Sequence, residues 1–125
     1  SPKDLIEPYE SVSLLKIDTD GMDLELLSRF LEVAPGPRFE SAFFEFTPQV
    51  EPINDAFERL TEEGLDQLYW HDHAGNLICS TSSSDVRAIR QLSRYGCATG
   101  TYFDISAVRS ASSTATALDT AYDAD

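Results

Sequence analysis

The residues best suited to chemistry stand together near the start of the chain, as Lys16-Ile17-Asp18-Thr19-Asp20-Gly21-Met22-Asp23. Asp18 and Asp20 can bind a metal, act as a base or hold a substrate. They also have a plainer use, in which Asp20 or Asp23 caps a following helix and Gly21 supplies a turn. A calcium loop fails on spacing. With Gly21 at the glycine position of such a loop, Lys16 falls on the first ligand position and Leu27 on the bidentate one. A further candidate is Glu45, set between Phe44 and Phe46. A carboxylate there is costly to bury unpaired, so it either lines a cleft beside Asp18 or faces outward in an alternating strand. Trp70-His71-Asp72-His73 places two histidines one residue apart. Zinc needs a third and fourth ligand, and Cys79 and Cys97 are not at finger spacing, so the pair reads as the polar rim of a hairpin. The chain has no glycine-rich phosphate loop, no G-x-S-x-G and no H-E-x-x-H.

The elements that must position these residues follow from hydrophobic period and turn chemistry. Ser11–Asp18 carries Val12, Leu14, Leu15 and Ile17 in a nearly continuous apolar run, the pattern of a strand covered on both faces. Asp23–Val33 has Leu26, Leu27, Phe30 and Leu31 at helical spacing, and Pro35-Gly36-Pro37 stops it. Ser41–Phe46 is the next strand. Glu51 helps open a helix over Pro52–Glu63, with Ile53, Phe57 and Leu60 inward and Gly64 as its C-terminal cap. Leu68–His71 and Leu77–Ser80 flank a turn at Ala74-Gly75-Asn76 and form a hairpin. Ser82–Ser84 can cap a helix over Asp85–Tyr95 that Gly96 and Gly100 break, and Thr101–Val108 is the last strand. Ser1–Glu10 reads as an opening loop with one helical turn, and Ser110–Asp125 as a disordered tail with almost nothing to bury. Strands joined by single helices imply parallel crossovers, and the hairpin and last strand an antiparallel edge.

The chain has 125 residues, with nine basic and 22 acidic side chains and a net charge of −13, which argues against nucleic acid and anionic membranes as partners. No apolar run approaches the roughly 20 residues of a membrane span. Two cysteines make no disulfide scaffold and fit a reducing cytoplasm. Ser1 opens the chain and Met22 is its only methionine, which predicts a processed chain or a part of a longer one.

SLLKIDTDGMDLELL, followed after a proline break by FFEFTP, resembles the FkbM-type S-adenosylmethionine-dependent methyltransferases. That family has a strand reading roughly L-K-I-D-x-E-G, a helix rich in Glu and Leu, and a strand ending in an acidic residue. The likeness runs from Val12 to about Val108 and includes the turn Asp72-His73-Ala74-Gly75-Asn76; Asp20 stands where the family usually has Glu. The resemblance implies an α/β fold: a partial Rossmann-like sheet with strands like the fourth to seventh of seven, parallel strands plus an antiparallel edge, and helices packed on it. Residues 1–109 would be the C-terminal half of a methyltransferase domain and 110–125 its tail. The first three strands, the glycine-rich cofactor loop and the acidic residue that holds the ribose have no counterpart here. S-adenosyl-L-methionine is therefore the implied cofactor, bound weakly or not at all by this chain alone. The implied reaction is methylation of a hydroxyl on a small molecule or carbohydrate. Asp18 and Asp20 would stand on the substrate side, one as base and one as orienting group, with Glu45 third.

Two other readings compete. A non-catalytic half-domain would bind a partner or pair as a homodimer through the Val12–Ile17 edge, left without its neighbour. A carboxylate metal hydrolase would use Asp18, Asp20 and His71.

Overall fold

The computed structural model describes residues 11–32 and 38–110. The opening loop, the Pro35-Gly36-Pro37 break and the tail after Ser110 lie outside the described residues. The elements run β1 (Ser11–Val12), β2 (Leu15–Lys16), α1 (Asp23–Leu31), β3 (Arg38–Phe39), β4 (Ser41–Phe46), α2 (Ala56–Glu62), β5 (Gln67–His71), β6 (Leu77–Ser82), α3 (Val86–Thr99) and β7 (Phe103–Val108). The fold is α/β, with a five-stranded mixed sheet of order β2-β4-β7-β5-β6 and a short parallel pair, β1-β3. The β1-β3 and β2-β4 pairs keep one register offset, so they are a single parallel ribbon with an interruption.

The ribbon corrects one expectation. The strand near Val12–Ile17 is not covered on both faces. Leu15 and Ile17 are buried, while Leu14 is 54% exposed and Lys16 is exposed. The last strand corrects another. The antiparallel pairing is not confined to an edge, because β7 lies inside the sheet, antiparallel to both β4 and β5. Its alternating burial explains why it can sit there. Phe103, Ile105 and Ala107 are buried and stand opposite Phe46, Phe44 and Ala42 of β4. Leu68 and Trp70 of β5 continue the same apolar face.

The helices gather on that face. Phe57 of α2 packs against Phe44, Phe46 and Trp70, with ring centroids 6.1–6.2 Å apart, and Trp70 meets Phe103 edge-on at 5.3 Å. Such pairs add packing specificity to the burial of large apolar surface. The buried indole N–H of Trp70 donates to Thr81 Oγ1 at 2.9 Å, so it is not left unpaired.

Helix boundaries differ from the expected ones for local reasons. The helix expected over Pro52–Glu63 begins only at Ala56, and Ile53 is left partly exposed before it. The cap of α3 is Asp85, whose carboxylate accepts from Ala88 N–H at 3.1 Å, in place of the serines. Gly96 does not break α3. It is buried where a Cβ would stand 2.7 Å from Pro48, 2.8 Å from Thr101 O and 3.1 Å from the Phe103 ring. The helix ends at Gly100, whose φ of 72° is the left-handed cap that glycine adopts without steric cost.

Candidate functional site

Alternation in three neighbouring strands builds the site. Burial of Phe44 and Phe46 turns Glu45 to the opposite face of β4. Burial of Phe103 and Ile105 does the same for Asp104 of β7, and burial of Trp70 for His71 of β5. Register then aligns them. Asp104 is directly opposite Glu45 on one side and His71 on the other. Residues so paired have Cβ atoms roughly 5 Å apart. The row lies at the carboxyl ends of β4 and β5, where open α/β sheets hold their ligands.

The loop after β2 brings Asp18 near enough to this row for its charge to be felt at Glu45 and Asp104. Its course is fixed by Asp23, the first residue of α1, which is 1% exposed. One Asp23 oxygen accepts from Thr19 N–H at 2.9 Å and from the Thr19 hydroxyl at 2.5 Å; the other accepts from Glu45 N–H at 2.9 Å. Asp23 is therefore a tether between the loop and β4. The cap of α1 comes from far along the chain. Glu51 is buried and accepts from Leu24 and Glu25 N–H at 2.9 and 3.0 Å. A carboxylate facing the helix start also complements the partial positive charge there. Sequence patterning reads Glu51 as the opening of the next helix, because its partners are remote in sequence.

The electrostatics follow from this crowding. Burial raises the Glu45 carboxyl above its ordinary range. Thr47, whose hydroxyl donates to Glu45 Oε1 at 3.0 Å, pulls it down, while Asp104, Asp23 and Asp18 push it up. Burial also raises Asp104; His71 lowers it, Asp18 and Asp23 raise it further, and His73 lowers it. His73 itself stacks at a tilt on Tyr102, with ring centroids 5.4 Å apart. Two half-buried carboxyls held side by side resist double ionisation, which suits one of them to taking a proton from a bound group.

Glu45 thus takes the outward position of an alternating strand, with Asp18 near enough for its charge to raise it, and Asp20 stands apart on the turn. Asp20 is exposed on the turn and is not among the main charges felt at Glu45 or Asp104. Asp104 is not singled out by the sequence. It occupies in TYFDISAV the same polar position as Glu45 in SAFFEF, but only strand pairing makes them neighbours. His71 joins the row, whereas its H-x-H partner His73 points to Tyr102. Among the described residues, no three His, Cys, Asp or Glu side chains are arranged to hold a metal ion.

Comparison of the chain with protein-family models, curated proteins and solved structures gave no match. No described helix is long and apolar enough to cross a membrane.

S-adenosyl-L-methionine, the nucleoside cofactor that the resemblance implies, is held by a glycine-rich loop, and the turn after β2 carries Gly21 alone. Gly21 has φ +92°, but a Cβ built there would stand 2.7 Å from Val50, so that side of the turn faces protein. The described residues beside Asp18 offer no glycine-rich cradle; what they gather is a row of carboxyls with one histidine.

Proposed function

We propose that this chain forms the acceptor side of an FkbM-like, S-adenosylmethionine-dependent methyltransferase, acting on a hydroxyl of a small molecule or carbohydrate. The observation that carries the proposal is the meeting of Asp18 and Glu45 with Asp104 at the carboxyl ends of adjacent strands. The parallel β2-β4 pair, joined through α1, supports a Rossmann-like ancestry for the sheet. The work assigned to this chain is to orient a hydroxyl and remove its proton. Glu45 is the base, because burial and its carboxylate neighbours raise its proton affinity toward the working range. Thr47 fixes one Glu45 oxygen, leaving the other for the acceptor. Asp104 and Asp18 hold the further hydroxyls of a polyol. The two free thiols, Cys79 and Cys97, accord with a cytoplasmic setting.

The test is transfer of tritiated methyl to hydroxylated acceptors by the longest polypeptide of the reading frame that contains this chain. Glu45→Gln should lower turnover by about 100-fold or more, the usual scale for a general base, with the fold retained. Full activity in Glu45→Gln would refute the assignment. The chain of 125 residues alone should show little affinity for S-adenosylmethionine in calorimetric titration.

A second proposal, self-association, has its own support. Among the described residues β2 is an edge of the sheet, and beside it a hollow of about 370 Å³ lies among Leu14, Lys16, Phe43, Ser106 and Val108 on the face away from the helices. A homodimer would cover both. Light scattering at tens of micromolar decides it, and a strictly monomeric folded species would end it.

A further inference from the structure

Arg87, Arg90 and Arg94 recur along α3 at spacings of three and four and share one face of the helix. All three are exposed. The other described arginine side chains, Arg29, Arg59 and Arg109, each lie within 4.0 Å of a carboxylate. Among the described residues, none of the three on α3 has an ion pair. That is unusual placement in a chain where acidic groups outnumber basic ones by 22 to nine. Guanidinium groups are fixed forks that match carboxylate geometry, and an unpaired row of them is a recognition surface for an anion.

Next to the row lies an apolar groove. A hollow of about 450 Å³ runs between α2 and α3, with Ile53, Phe57, Val86 and Ile89 among its walls. It shares Val86 and Arg90 with a second hollow of about 470 Å³ over Arg87, Gln91 and Arg94. Val86 is 51% exposed and Ile53 37%, so each has apolar surface left to cover. On the α2 wall stand Glu58 and Glu62. The groove is therefore apolar at its floor, basic on the α3 side and acidic on the α2 side.

We propose that the α2–α3 groove docks a short, acidic, amphipathic segment of a partner protein. Its apolar side chains enter between Ile53 and Val86, and its carboxylates lie on Arg87, Arg90 and Arg94. The repulsion from Glu58 and Glu62 confines the acidic residues to the α3 side and fixes the segment's orientation. The row spans about 10 Å of helix, two turns, which suits a segment of two to three turns. Charge argues against a nucleic acid or an anionic membrane. Either would extend beyond the arginines over a surface whose net charge is −13, whereas a short segment touches only the basic patch.

Fluorescence anisotropy with the whole chain tests this. The probe is a labelled peptide of about 12 residues with leucines on one helical face and glutamates along one flank. Arg90→Glu should weaken binding at least tenfold, and so should Val86→Asp. Arg94→Gln, a milder surface change, should weaken it severalfold, and circular dichroism checks that each variant keeps its helices. A control peptide with lysine in place of glutamate should not bind. Binding unchanged by Arg90→Glu and Arg94→Gln would overturn the proposal, as would no binding at all. Equal arginine-dependent binding of single-stranded DNA or of phosphatidylserine vesicles would overturn the choice of partner. Arginine-dependent self-association in light scattering would do so too, by making a second copy the occupant.

Discussion

Replacing Asp23 by asparagine separates a tether from a helix cap. The Asp23 carboxylate accepts three hydrogen bonds, two from Thr19 and one from Glu45 N–H. Asparagine has nearly the same shape but a single acceptor oxygen. With that oxygen toward Thr19, the amide NH₂ meets Glu45 N–H donor to donor, and a part-buried backbone N–H is left unpaired at a cost of about 1–3 kcal/mol. The bonds to Thr19 lose their charge assistance, a further loss of about 1 kcal/mol. Against this, a negative charge that opposes ionisation of Glu45 and Asp104 is gone. Both carboxyls are partly solvated, so the relief is only a few tenths of a kcal/mol. The net expectation is destabilisation by about 2–3 kcal/mol, a fall in midpoint temperature of roughly 10–20 °C for a domain this size. A lost cap would cost only about 1 kcal/mol and would leave the Glu45 and Asp104 titrations alone. Urea denaturation gives the stability, and carbon-detected NMR titration of the carboxyls gives the second signature, in which both Glu45 and Asp104 shift toward lower pH. A variant within about 0.5 kcal/mol of the parent, or one with unmoved titrations, would refute the tether.

Gly96→Ala should destabilise by about 1–2 kcal/mol, because overpacking of about 2–3 kcal/mol against Pro48, Thr101 O and Phe103 outweighs the roughly 1 kcal/mol gain in helix propensity; thermal denaturation reads this directly. Acidification from neutral pH toward the ordinary carboxyl values should raise the urea midpoint. Glu45, Glu51 and Asp104 have folded values raised above the ordinary 4.5, 4.5 and 3.8, so their contribution is full below those values and lost as pH rises through the folded ones. Asp55, lowered first by its bond from Ser28, acts in the opposite sense but only below 3.8. Arg109→Met should cost about 2–3 kcal/mol in chemical denaturation, since its guanidinium donates to the carbonyls of Glu63 and Phe39, both at 2.9 Å, and ties β7 to β3 and to the end of α2.

Period and turn chemistry are properties of adjacent residues, and what depends on them was legible. The sequence placed strands at Ser41–Phe46 and near Thr101–Val108, a hairpin about Gly75, and helices about Leu27, Phe57 and Ile89. The Asp72 turn is of this local kind, with the carboxylate accepting from Ala74 and Asn76 N–H within five residues. So is the choice of Glu45 as a polar residue in an apolar strand. Pairing, by contrast, is a contest among distant segments that no local pattern decides. The apolar alternation in TYFDISAV fits an edge or an interior position, and β7 became interior because its buried residues match Ala42, Phe44 and Phe46 in register. That choice put Asp104 between Glu45 and His71 and made the acidic row. Only the folded chain brings Glu51 to the start of α1, or leaves three arginines on one helix without a carboxylate among the described residues, because both depend on which surfaces meet. Asp20 shows the converse: its neighbours in sequence suggested a site, and a side chain on a turn turned outward keeps company only with solvent.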